Sequence, residues 1–175
     1  QKELCKHGTH LGTYTEVLYQ LGLHLKDHGS GGHGTQSQHY AGVAFDVGQR
    51  LTNAERNRMR NLATTSGVWA YVEPASLTPT WVHFDKRFGV PSCPTGGYML
   101  IKQGSISNYV LIAQDDLNTL GFRTGGLDGI FGAQTRNAVI SYQRSRGLSA
   151  DGIVGCNTWR SLQENVVGTG RTSTA

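Results

Sequence analysis

One short motif occurs twice in the C-terminal third of the chain, as Asp128-Gly-Ile-Phe-Gly132 followed by Thr135 and, 23 residues later, as Asp151-Gly-Ile-Val-Gly155 followed by Thr158. Each Asp-Gly supplies a turn in which glycine takes positive φ, and the Ile with its Phe or Val neighbour anchors the loop on a core. Helical periodicity surrounds the two loops. Val110, Gln114, Leu117 and Leu120 recur at helix spacing after a cap at Ser107 and stop at Gly121. Ala138, Val139 and Tyr142 form a second stripe ended at Gly147, and Trp159 with Leu162 a third, capped near Asn157. Three short helices joined by two similar loops are expected.

Through VLIAQDDLNTLGF, GGLDGIFGAQTRNAVISYQRSRGL and DGIVGCNTWRSL, residues 104–162 resemble the peptidoglycan-binding module of bacterial wall hydrolases. The resemblance implies a small all-α domain over 104–175 with peptidoglycan as its partner. Upstream, residues 86–105 carry two prolines and several glycines without an apolar period. They read as a connection, with 94–103 as the linker and a short strand near 98–101.

The N-terminal half follows a different pattern. Tyr14, Val17, Leu18, Leu21 and Leu25 fall at helical spacing, and Thr52-x-x-Glu55 is a capping box opening a helix with Met59, Leu62 and Ala63 on its apolar side. Residues 42–47, 67–73 and 80–85 are rich in β-branched and aromatic side chains and read as strands. An α+β domain over 1–93 is expected. Alternation puts Ala44 with Asp46 on one face of the first strand, and His83 with Asp85 on one face of the last. If those strands are neighbours, Asp46 and His83 converge.

His39 lies seven residues before Asp46, within Ser37-x-His39-x-x-Gly42-x-Ala44-x-Asp46. Two imidazoles and a carboxylate suit catalytic zinc, because three protein ligands leave a fourth tetrahedral position open, whereas structural zinc usually takes four. Gly42 permits a tight approach of loop to strand, the small Ala44 leaves room beside Asp46, and Ser37 is placed to orient His39 or touch substrate.

This string resembles the SxHxxGxAxD signature of the zinc D-Ala-D-Ala carboxypeptidase family, which shares its fold with the hedgehog signalling domain; His83 in Trp81-Val-His83-Phe-Asp85 looks like the third ligand. The resemblance implies a hedgehog/DD-peptidase-like domain in which His39, Asp46 and His83 hold Zn2+ for cleavage of peptide bonds in the wall. The sequence departs from the family at the general base. Members often carry an acidic residue three positions before the last ligand, or a histidine two before it, where this chain has Thr80 and Trp81. Hedgehog-like members carry a glutamate after an aromatic strand, as Trp69-Ala-Tyr-Val-Glu73 does here, so Glu73 is the expected catalytic base and Asp85 the second choice. The arginine that the family tends to place upstream of the signature is missing from residues 20–36. These departures favour the rival expectation, a non-catalytic wall-binding protein with a structural or vestigial zinc site.

Charge and composition exclude other classes. The chain of 175 residues has a net charge of +4, but its Lys and Arg are scattered and form no basic stripe, so no nucleic acid is expected as partner. No apolar run approaches the roughly 18 residues that cross a bilayer, so no membrane insertion is expected. Charged residues make up 16% and glycines number 24, which marks a turn-rich monomer rather than an acidic disordered chain. Cys5, Cys93 and Cys156 lack C-x-x-C spacing, leaving one Cys5–Cys93 bridge open. His7, His10, His24, His28 and His33 read as solvated loop residues. An extracellular, wall-associated location is expected, with no signal peptide visible at Gln1, as in a processed form.

Overall fold

The computed structural model describes residues 36–39 and 41–166. The helix expected on Tyr14 to Leu25, Cys5, and His7, His10, His24, His28 and His33 lie outside them. In chain order the elements are β1 (Ala44–Val47), α1 (Asn53–Thr65), β2 (Tyr71–Val72), β3 (Val82–Asp85), β4 (Pro91–Cys93), β5 (Gly96–Met99), α2 (Asn108–Thr119), α3 (Ala133–Ser145) and α4 (Cys156–Val166). The contacts divide them into two compact units, Val43–Phe88 and the residues on either side of it. No helix among the described residues is long and apolar enough to cross a membrane.

Residues 43–88 build a three-stranded antiparallel sheet in the order β1-β3-β2. β1 and β3 pair with Phe45 opposite Phe84 and Asp46 opposite His83, while Tyr71 lies opposite Asp85 across β2 and β3. Because side chains alternate, one face of the sheet is aromatic and the other polar. On the first face Phe45, Phe84 and Trp69 form a ring cluster, Trp69 and Phe84 being 4.3 Å apart between centroids. That hydrophobic contact supports the register that the opposite face needs.

Helix α1 starts with the expected capping box: Thr52 Oγ1 accepts from the Glu55 amide at 3.3 Å, and the Glu55 carboxylate accepts from the Thr52 amide at 2.8 Å. Its inward side differs from the expectation. Leu62 is 61% exposed, and the buried residues are Arg56, Arg60 and Ala63. The helix packs beside β2 and β3 and the loops around them, and two of its inward positions are donors to loop backbone. Arg56 donates to the carbonyls of Gly48 and Leu51, and Arg60 to those of Glu73, Thr78 and Trp81. A guanidinium with five N–H groups is suited to loop carbonyls that would otherwise be buried unpaired.

The other unit contains the three expected helices, with Ser107 capping α2 through a bond from the Val110 amide. The third helix begins at Cys156, one residue before the expected cap at Asn157. The stretch 94–103, expected as a linker, is folded and belongs here. β4 and β5 form a hairpin, Tyr98, Met99 and Ile101 are at most 2% exposed, and the Trp159 indole N–H donates to the Met99 carbonyl at 2.9 Å. Cys93 is bonded to Cys156 at the start of α4, in place of the Cys5–Cys93 bridge. The hairpin is hard to read from sequence because the glycines that open β5, Gly96 and Gly97, both at positive φ, break the alternation that marks a strand. Tyr98, Tyr109, Tyr142 and Trp159 are fully buried and, with Phe131 at 1%, form the aromatic core.

Residues 101–106 run beside both repeat loops. Ile101 exchanges backbone bonds with Val154, and Phe131 bonds Ser105 and Gly104. Each loop is also held by a glutamine. The Gln114 Nε2 donates to Asp128 Oδ1, the Ile130 carbonyl and Thr135 Oγ1, while its Oε1 accepts from the amides of Asp128 and Gly129.

Candidate functional site

The polar face of the sheet carries the residues that the sequence singled out. Asp46 on β1 and His83 on β3 are direct cross-strand partners, with His83 Nδ1 2.8 Å from Asp46 Oδ1. On its other side His83 Nε2 lies 3.2 Å from Asp85 Oδ2. Asp85 is fully buried and is bound in turn by Arg87, whose Nε is 2.8 Å from Oδ1 and whose backbone amide is 3.0 Å from it. Arg87 stacks on the Tyr71 ring at 4.4 Å. Asp85 is thus committed to orienting His83, which removes it as second candidate for the base. Arg87 and Tyr71 were not singled out by sequence reasoning, although Tyr71 falls on this face by strand alternation.

His39 lies in the turn that leads into β1. Its carbonyl accepts from the Gly42 amide at 3.0 Å, with Gly42 at φ 69°, and its own amide donates to Ser37 Oγ at 3.3 Å. One potential ligand atom from each of His39, Asp46 and His83 lies within 4.8 Å of the others. Tetrahedral zinc is commonly bound by imidazole nitrogens and carboxylate oxygens, so this nitrogen, nitrogen and carboxylate set fits the ion in chemistry. In the metal-free protein both His83 nitrogens donate to carboxylates, Nδ1 to Asp46 and Nε2 to Asp85; loss of the Nδ1 proton, with Nε2 still held by Asp85, would leave a lone pair on the Asp46 side, where a metal ligand must point.

Electrostatics follow from this packing. Burial would lower the His83 pKa, but the hydrogen-bonded carboxylates of Asp46 and Asp85 more than offset it and push the imidazole up to about 9 in the metal-free protein. Burial would raise Asp85, yet Arg87 and His83 hold it down at about 2. Glu73 continues the β2–β3 ladder, its amide donating to the His83 carbonyl at 2.9 Å. Its carboxylate is near enough to contribute to the raised His83 pKa. Thr80 and Trp81, where the base of the resembled family often stands, lie just before β3.

Comparison with known proteins concerns the helical unit. Residues 107–162 match the peptidoglycan binding domain family. The chain is 58% identical over 53 residues to the N-acetylmuramoyl-L-alanine amidase CwlM of Mycobacterium tuberculosis, covering 30% of this chain and 13% of that protein. It is 37% identical over 59 residues to the spore cortex-lytic enzyme of Oceanobacillus iheyensis, covering 34% and 21% respectively. The chain thus spans about an eighth to a fifth of the length of these relatives. Among solved structures, the SleB N-terminal domain is 34% identical, with 39% of this chain and 93% of that one covered at a TM-score of 0.38. The matched segment contains both repeat loops, helices α2 and α3, and the first part of α4. This chain therefore carries, at residues 107–162, a peptidoglycan-binding domain.

Proposed function

We propose that the protein is a zinc-dependent hydrolase that cleaves peptide bonds in the stem of peptidoglycan, as a carboxypeptidase or an endopeptidase, and is retained on the wall by its C-terminal domain. The convergence of His39, Asp46 and His83 donor atoms carries this reading. The hedgehog/DD-peptidase-like assignment of residues 1–93 is part of the same proposal, supported by the SxHxxGxAxD string on β1 and its approach loop. Zinc, when bound, supplies a Lewis acid that polarises an amide carbonyl and lowers the pKa of a water.

The chain's own residues supply the rest. Asp46, His39 and His83 would hold the ion, and Asp85 with Arg87 fixes the His83 ring through Nε2. Glu73, beside His83 on the ladder, takes the proton of the attacking water and passes it to the leaving amine. Ser37 steadies the His39 backbone and faces substrate with its remaining capacity. The peptidoglycan-binding domain raises the local concentration of the insoluble substrate without changing the chemistry. The Cys93–Cys156 bond supports an oxidising, extracellular setting at the wall.

Mass spectrometry of muropeptides from purified walls tests the reading, with zinc-loaded protein, chelated protein and His39→Ala compared. Zinc-dependent loss of a D-residue or cutting of stems is expected. A second reading, a non-catalytic wall binder, is favoured by Thr80 and Trp81 at the usual acid–base positions. Unchanged muropeptides despite stoichiometric zinc and wall binding would select it.

A further inference from the structure

A cavity of about 590 Å³ lies within the helical unit, lined by Gln36, Cys93, Thr95, the β5 glycines Gly96 and Gly97, and Arg160, Gln163 and Glu164 of α4. We propose that it binds the peptide stem of peptidoglycan, with a stem carboxylate on Arg160 and a stem ammonium on Glu164. This rests on the reading of the protein as a wall binder and adds to it a place and a chemistry.

The walls are preformed. The Cys93–Cys156 bond joins the hairpin to the first turn of α4, the two elements between which the cavity opens. Arg160, Gln163 and Glu164 stand at helix spacing and so share one face. Gln163 is 5% exposed, with its Nε2 donating to Asp116 Oδ2 at 3.0 Å, which fixes an amide in the lining. On the opposite wall Gln36 is the described non-glycine residue at positive φ, 62°. Its Oε1 accepts from the Tyr98 amide at 3.2 Å, and a Cβ on Gly97 would come within 2.6 Å of it. Gln36 in the left-handed region, seated against a glycine whose own φ of 96° disfavours any side chain, marks a wall shaped at some cost in conformational freedom. Rigid walls reduce the ordering cost of binding a flexible peptide.

The lining selects the ligand class. It offers side-chain amides, a hydroxyl and glycine backbone, with one cation and one anion. It has no aromatic ring, the usual platform for the face of a sugar, and one arginine is too little for a polyphosphate. A short peptide bearing both a free carboxylate and a free ammonium matches this inventory. The stem peptide has both, whereas a peptide-free glycan strand offers the lactyl carboxylates of its muramic acid residues but no ammonium.

The test uses the full chain in chelator, so that no stem is cut, and measures retention on purified sacculi with free stem tripeptide or peptide-free glycan as competitor. The expected result is competition by tripeptide alone, with Arg160→Ala and Glu164→Ala each weakening retention at least about tenfold, as for loss of a charge-assisted hydrogen bond, and Arg160→Lys recovering part of it. Retention unchanged in both alanine variants, or competition by glycan alone, would overturn the proposal while leaving wall binding intact. Failure of the parent protein to bind sacculi would overturn the wall-binding reading together with it.

Discussion

Gln143 makes, against the second repeat loop, the contacts that Gln114 makes against the first, save the bond from the amide of the loop aspartate. Its Nε2 reaches Asp151 Oδ1 and the Ile153 carbonyl at 2.9 Å and Thr158 Oγ1 at 3.2 Å, and its Oε1 accepts from the Gly152 amide at 2.9 Å. Both glutamines are 1% exposed. One polar side chain thus satisfies several buried groups of each loop, which a hydrophobic residue of the same size would leave orphaned. Gln143→Met is therefore expected to destabilise the helical unit by about 2–4 kcal/mol, through unmet donors and acceptors rather than lost volume. Thermal unfolding measures this, and a loss below about 0.5 kcal/mol would show that the loop holds itself.

The covalent tie of Cys93 to Cys156 closes a loop with a sequence separation of 63. Chain entropy assigns such a closure about 4 kcal/mol, with engineered examples often lower. Reduction or Cys156→Ser is expected to lower the unfolding temperature and to raise hydrogen exchange in 91–99 before the helices. Uniform exchange across the unit would instead show that the hairpin and helices unfold together.

The two repeat loops and three helices were legible because Asp-Gly turns and apolar stripes carry local signals. The glutamine clamps were not, since Gln114 precedes Asp128 by 14 residues and Gln143 precedes Asp151 by only 8. Unequal spacing hides an equivalence that only the fold restores. In the sheet, alternation correctly set Asp46 and His83 on facing positions. Arg60 and Arg87 escaped notice for the opposite reason: charged residues on a helix and after a strand read as solvated, yet here the acceptors come from distant loop carbonyls and a buried carboxylate. The disulfide partner likewise depends on tertiary proximity, which spacing does not reveal.

His83 gives a pH test with a definite sign. Its folded pKa is raised to about 9, above an unfolded value near 6.5, so its contribution to the metal-free fold is complete below about pH 6.5 and is lost as pH rises through about 9. Chelated protein is expected to show a falling unfolding temperature over that window, and His83→Asn to flatten it. With zinc the dependence reverses at its lower end, because a ligand imidazole must give up its proton and the metal gains affinity as pH rises. A chelated protein whose melting temperature is level from pH 6.5 to 9 would contradict the pairing with Asp46 and Asp85.

Asp85 touches His83 and Arg87 and takes no place among the three ligands. Asp85→Asn preserves shape but replaces a carboxylate acceptor by an amide, leaving the His83 ring free to choose the wrong tautomer. A drop in zinc affinity of about 10–100-fold is expected, with the metal still bound and the fold retained. Calorimetric titration of zinc checks it, and unchanged affinity would reduce Asp85 to a partner of Arg87.

Arg60 sets the position of the long connection between β2 and β3. Its guanidinium donates to the carbonyl of Glu73 at 3.3 Å, where the connection begins, and to that of Trp81 at 2.6 Å, where it ends, with Thr78 bound between. Arg60 is 8% exposed, so these acceptors have little access to water as an alternative. Arg60→Met keeps the aliphatic stem and removes every donor, and is expected to cost about 3 kcal/mol or more, with proteolytic cleavage appearing first within 74–80. Arg60→Lys retains the charge but lacks the fork that spans separate carbonyls, so it should recover only part of the loss. Full recovery by lysine would mean that the charge, rather than the geometry of the donors, holds the connection beside Glu73 and His83.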